Sequence, residues 1–207
     1  MTRERRTAIG VSIALAVCVI YRLLPFSWPE DAALRYGRMC IEQMVLLGIP
    51  AVMMRPWRSS RLPVQKRWWV YALFLLASVA VQPVMQGVSD AWMTLTGAGE
   101  AAGYPMPVNA LETLLMVGAL VVLPAACEEA FFRGTMYCGL VKKLGRGAFW
   151  LTAAVFVMLH AQIGQLPFHI GVSLLLTLAM RQTGRLWLPM LMHAVINGIG
   201  LMKIIMR

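Results

Sequence analysis

A chain of 207 residues that is 59% hydrophobic and 14% charged has too little charge to cover a soluble surface. Its net charge of +10 comes from 19 Lys+Arg against 9 Asp+Glu. The basic residues sit between apolar runs, which reads as membrane topology and sets a nucleic-acid partner aside.

At roughly 20 apolar residues per span, the runs predict an all-α membrane protein: a polytopic bundle of about seven transmembrane helices, six to eight if a segment is re-entrant. A single membrane domain over 1–207 is expected, with no room for a sizeable soluble one. The first span covers about Thr7 to Leu24, behind the basic stretch Thr2 to Arg6. No small-residue cleavage site follows it, so it reads as a retained span and not a signal peptide. The second covers about Arg38 to Met54, and the third Trp68 to Met85 with an amphipathic continuation to Leu95. The fourth begins near Asn109 and carries Pro124, which should bend or break it. The fifth covers Ala148 to Gln162, the sixth Phe168 to Met180, and the last begins near Leu186. The Gly-, Ala- and Pro-rich stretch Gly97 to Pro107 is expected to be the most flexible connection.

If the spans alternate, Arg3 to Arg6, then Arg55, Arg58, Arg61, Lys66 and Arg67, then Lys142, Lys143 and Arg146, then Arg181 and Arg185 share one side. The positive-inside rule makes that side, and the N-terminus, cytoplasmic. Lys203 and Arg207 near the far end are a mild violation. Trp68, Trp69, Trp150 and Trp187 occupy span ends, as interfacial aromatics do. The cysteines Cys18, Cys40, Cys127 and Cys138 form no CxxC pair and no zinc spacing, and read as small core residues.

Ionisable residues within spans cost several kcal/mol unless paired or hydrated, so about four of them mark a site: Glu128, Glu129, His160 and His193. Glu42, Glu112 and His169 lie near span starts and read as interfacial. Glu129 and Arg133, four apart, share a helix face and can form a charge-assisted pair. Glu128 then points elsewhere with no local cation, and a desolvated carboxylate is a candidate general base. Glu128 and His160 each lie about 16 residues from the turn at Leu144-Gly145. An antiparallel hairpin therefore brings them to one level, where the imidazole can help orient a water. Phe156, four residues before His160, shares its face and should pack the site. His193 and Asn197 are again four apart and could both donate to a developing oxyanion. Their depth fits less well, since His193 lies only roughly 12 Å of helix beyond Arg185.

Glu128-Glu129-x-x-x-Arg133, Phe156-x-x-x-His160 and His193-x-x-x-Asn197, with Arg133-Gly134 and Thr183-Gly184 beside them, resemble the three motifs of the CPBP intramembrane proteases. This group takes in the eukaryotic CAAX prenyl endopeptidase and bacterial relatives linked to bacteriocin processing. The resemblance covers about 109 to 200, which it makes the catalytic core. It implies a glutamic peptidase with no cofactor and no required metal. Glu128 would activate water with help from His160, His193 and Asn197 would form the oxyanion hole, and Glu129 and Arg133 would shape the site. Two rival readings stay open: a zinc protease with Glu128, His160 and His193 as ligands, and a non-catalytic membrane immunity or scaffold protein. A proton-relay transporter is the weakest, because no inverted repeat is visible. The expected partners are the lipid bilayer and a membrane-associated peptide or protein substrate: a prenylated C-terminus, a leader peptide or a C-terminal sorting tail. The compact size favours a bacterial cytoplasmic membrane.

Overall fold

Polar side chains at the edges of apolar runs fix where the helices start. Asp31 accepts the Leu34 N–H at 2.8 Å, and Asn109 accepts the Glu112 N–H at 2.9 Å. Each satisfies a backbone donor that a helix end would otherwise leave orphaned. Glu112 reaches back to the Asn109 amide at 2.7 Å and the Val108 N–H at 2.9 Å, so the fourth span opens on a reciprocal cap. At the other ends, Gly97 and Gly184 take left-handed φ values of +66° and +62° and close helices on the carbonyls of Met93 and Met180.

The computed structural model describes residues 3–24, 27, 29–54, 62, 64–99, 103–160 and 162–206. Among the described residues there are seven helices and no strand: α1 Arg3–Leu23, α2 Ala32–Met54, α3 Trp68–Thr96, α4 Ala110–Leu144, α5 Gly147–His160, α6 Leu166–Thr183 and α7 Trp187–Ile205. The protein is an all-α membrane protein. α2, α3, α4 and α7 are each long and apolar enough to cross a bilayer, while α1 and α5 hold shorter apolar stretches. Arg55, Arg58, Arg61, Glu100 and Arg207 lie outside the described residues.

Two boundaries differ from expectation for physical reasons. α2 starts at Ala32 and not near Arg38, because Asp31 supplies its cap. Glu42 therefore sits well inside α2 and not at its start. α4 neither breaks nor ends at Pro124. A proline donates no N–H and its ring strikes the carbonyl four residues earlier. The helix instead opens to i→i+5 turns over Gly118–Val122, Pro124–Glu128 and Ala130–Tyr137. Thr135 follows the same spacing, its hydroxyl donating to the Ala130 carbonyl at 3.1 Å. Such wide turns recur at functional sites.

Lipid offers no hydrophobic drive for helix association, so small and hydroxyl side chains carry the contacts. One core joins α1, α2, α4 and α5 around Ala14, Ala51, Ala130, Phe131, Phe132 and Phe156. A second joins α3, α6 and α7 around Leu176, Leu188, Met192 and Ile196. Ser78, Ser89, Ser173, Thr177 and Thr183 are fully buried. Ser89 of α3 accepts the Phe168 N–H at 3.0 Å, so one helix caps the start of another. The connection before α4 is tied down by Arg35 on the Gly103 carbonyl at 3.0 Å and the Tyr36 hydroxyl on the Pro105 carbonyl at 2.7 Å.

Candidate active site

The opened segment of α4 aims its two adjacent glutamates into separate surroundings. Glu129 and Arg133 are fully buried, and their ion pair closes at 2.7 Å. The same Glu129 oxygen lies 2.8 Å from His193 Nδ1 on α7. Arg133 also donates to the Thr177 hydroxyl at 3.3 Å and to the Ser173 carbonyl and hydroxyl at 3.1 and 3.2 Å. Its guanidinium carbon stands 4.5 Å from the centre of the Phe156 ring. Hydrogen bonds to α6, a carboxylate and an aromatic face together offset the desolvation of a cation with no access to water.

Glu128 turns toward α2 and α5. Its Oε1 accepts from Gln43 Nε2 at 2.9 Å. Its Oε2 is buried, accepts no hydrogen bond from the described residues, and faces His160 Nε2 at 3.8 Å. His160 Nδ1 lies 2.8 Å from the Phe156 carbonyl. A carbonyl only accepts, so Nδ1 carries a proton, and the neutral form of the ring presents a lone pair at Nε2. In that form two acceptors face each other at a separation too long for a direct hydrogen bond. A water placed between them would have both protons drawn away from its oxygen.

Phe156 is the hub of the site. Its ring meets His160 at 4.4 Å, Phe132 at 5.1 Å and His193 at 6.1 Å, centroid to centroid. A small cavity opens beside it, lined by Cys18, Glu42, Gln43, Leu46, Leu47, Glu128, Phe132, Leu159 and His160. Carboxylate, imidazole and amide converge there in an apolar wall, the composition of a site that binds a largely apolar molecule and acts on one polar bond.

The residues singled out in the sequence fall into two touching clusters, Glu128 with His160 and Glu129 with Arg133 and His193. Asn197 lies one turn beyond His193, half-buried, and makes no side-chain hydrogen bond among the described residues. Neither His193 nor Asn197 lines the cavity. Among the described residues, no three His, Cys, Asp or Glu side chains group so as to hold a metal ion. Sequence reasoning missed two residues. Gln43 was unmarked, though Glu42-Gln43 is a polar pair within an apolar run. His169 is at the start of its helix as expected, but its ring also lies against His160, tilted by 36° with 4.3 Å between centroids. Glu42 lines the cavity and is bound by Arg38 at 2.6 Å and by the Tyr21 hydroxyl.

Residues 110–199 match the family model of the type II CAAX prenyl endopeptidases, Rce1-like. The matched stretch holds all three motifs and agrees with the resemblance to the CPBP proteases. No curated protein and no solved structure matches the chain.

Proposed function

We propose that the protein is an intramembrane endopeptidase that hydrolyses a peptide bond with a water activated by Glu128. The observation that carries this reading is the approach of Glu128 Oε2, which accepts no hydrogen bond among the described residues, to His160 Nε2 at 3.8 Å at the wall of the cavity. The match over residues 110–199 to a CAAX-type endopeptidase model supports a membrane endopeptidase independently.

In the step proposed, Glu128 takes a proton from water while the water oxygen bonds to the substrate carbonyl carbon. His160, its tautomer fixed by the Phe156 carbonyl, holds the water's second proton. Collapse of the tetrahedral adduct breaks the C–N bond, and Glu128 returns its proton to the leaving nitrogen. His193 and Asn197 are proposed to stabilise the oxyanion, the former oriented by Glu129. The substrate is proposed to be a membrane-tethered protein or peptide in a bacterial cytoplasmic membrane, carrying a sorting tail, a lipidated tail or a leader. The tether would bring the peptide bond to the depth of the cavity.

The test is processing of a membrane-tethered substrate, identified by comparing the membrane proteome of a deletion strain with the parent. Glu128→Ala and His160→Ala should each lower turnover by at least about 100-fold while the protein still inserts. Wild-type turnover by Glu128→Ala would remove the base role. Activity should persist in excess chelator; loss that stoichiometric zinc restores would favour the metal reading.

A further inference from the structure

We infer that Gln43 is a positioning residue for Glu128, its side-chain N–H holding one carboxylate oxygen so that the other is kept toward His160. This rests on the reading of Glu128 as the base. Gln43 belongs to α2, outside the stretch that matches the endopeptidase model. It nonetheless reaches across 85 residues of sequence to Glu128 Oε1 at 2.9 Å.

Three features separate this contact from an ordinary tie between helices. First, a carboxylate only accepts, so the amide must present its N–H and turn its own oxygen away. That Gln43 oxygen is buried and has no partner among the described residues. The amide is therefore oriented for the benefit of Glu128 and leaves a polar atom of its own unsatisfied. Second, the approach is built into the backbone. Gly48, one i→i+5 turn beyond Gln43, lies where an added Cβ would stand 3.0 Å from Cys127 Sγ, and Cys127 directly precedes Glu128. Third, the two oxygens of a free carboxylate are interchangeable by rotation, and a hydrogen bond to one removes that equivalence. The remaining oxygen, Oε2, is the one that faces His160 across the cavity.

Two variants of the full-length protein in liposomes test the assignment, with turnover of a membrane-tethered reporter peptide followed against pH. Gln43→Met keeps the length and removes the donor. Gln43→Lys reaches the same oxygen with a charged donor. The titratable and charged groups on the helices around Glu128 are otherwise unchanged: Cys18 on α1 and Glu42, held by Arg38 and Tyr21, on α2, which line the same cavity; Cys127 beside it on α4; His160 on α5; and the separate Glu129–Arg133–His193 cluster of α4 and α7. Losing the donor disfavours the charged carboxylate, so in Gln43→Met the acid limb of kcat/KM should move up by on the order of one pH unit. Its kcat should fall about tenfold, with KM within about twofold of the parent. In Gln43→Lys the acid limb should move down. Opposite shifts are the signature of a group acting on the carboxylate. Unchanged profiles, or loss of folding or activity in both variants with no shift, would assign Gln43 to helix packing and overturn the inference. Glu128→Gln runs beside them: its wild-type turnover would overturn the base reading itself, while an inactive Glu128→Gln with an unaltered Gln43→Met would overturn the role of Gln43 alone.

Discussion

Arg133 is fully buried, and the groups that make this tolerable come from three helices: Glu129 on its own helix, Ser173 and Thr177 on α6, and Phe156 on α5. Glu129 is shared between this cation and His193, so one carboxylate joins the first and third motifs. Its removal leaves a buried cation without a counter-charge and an imidazole without an acceptor. Glu129→Ala should therefore destabilise the protein by about 3–5 kcal/mol, read as a lower midpoint of thermal unfolding in detergent. Glu129→Gln keeps an acceptor and should lose less. A midpoint unchanged in Glu129→Ala would show that Arg133 is neutralised elsewhere. The division between Glu128 and Glu129 was legible in the sequence, because i,i+4 spacing claims Glu129 for Arg133 and leaves its neighbour free. The level of His160 was legible as well, since the hairpin turn offers a ruler for both arms. Gln43 was not, because nothing in one sequence says which helix from the first half of the chain lies against α4.

The element that makes the site is the opened stretch of α4, and α2 is its counterpart. Both contain i→i+5 turns where they meet, over Gln43–Gly48 and Pro124–Glu128. Pro124 marked a disturbance in the sequence, but the outcome, a widened helix and not a break, depends on neighbours that keep the chain helical. The close approach depends on Gly48, where an added methyl would press on Cys127 Sγ at 3.0 Å. Gly48→Ala should displace α2 from α4, lengthen the Gln43–Glu128 contact and lower turnover several-fold. Cys127→Ala should have little effect alone, since its sulfur is a packing atom, and should restore turnover in the double variant. Coupling of this kind is expected of side chains in contact and not of distant ones. Simple additivity of the two substitutions would mean that Gly48 matters for some reason other than Cys127.

At the scale of the whole molecule, the two ends of the bundle differ in charge. At one end Gln65 N–H donates to the Thr183 carbonyl at 3.2 Å, and Leu62 packs with Tyr137, Cys138, Ala148 and Met180. This end gathers the connections that carry Lys66, Arg67, Lys142, Lys143, Arg146, Arg181 and Arg185. Exposed Trp68, Trp69, Trp150 and Trp187 stand in the first turns of α3, α5 and α7 at the same end. By the positive-inside rule, basic loops above an aromatic belt lead us to propose this end as the cytoplasmic one. The opposite end joins the α3–α4 and α5–α6 connections through Arg35, Tyr36 and Trp92, the last donating to the Ile163 carbonyl at 2.9 Å. Single cysteines placed in a cysteine-free background should therefore label in opposite senses. Thr96→Cys should react with an impermeant thiol reagent on intact cells, and Lys142→Cys only after permeabilisation; the reverse pattern would invert the topology. Depth follows from the same frame. His160 lies ten residues beyond Trp150, roughly 15 Å of helix and about half of a hydrocarbon core near 30 Å thick. On the proposed mechanism a peptide bond has to come to that level to meet Glu128, which a freely soluble peptide does only at the expense of leaving its backbone groups unsatisfied. Two reporters with the same cleavage sequence, one tethered in the bilayer by an apolar segment and one free, should accordingly differ by at least about tenfold in kcat/KM in liposomes, because the tether supplies the transfer in advance. Equal turnover of both would mean that the cavity is open to bulk water and that its position in the bundle does not select the substrate.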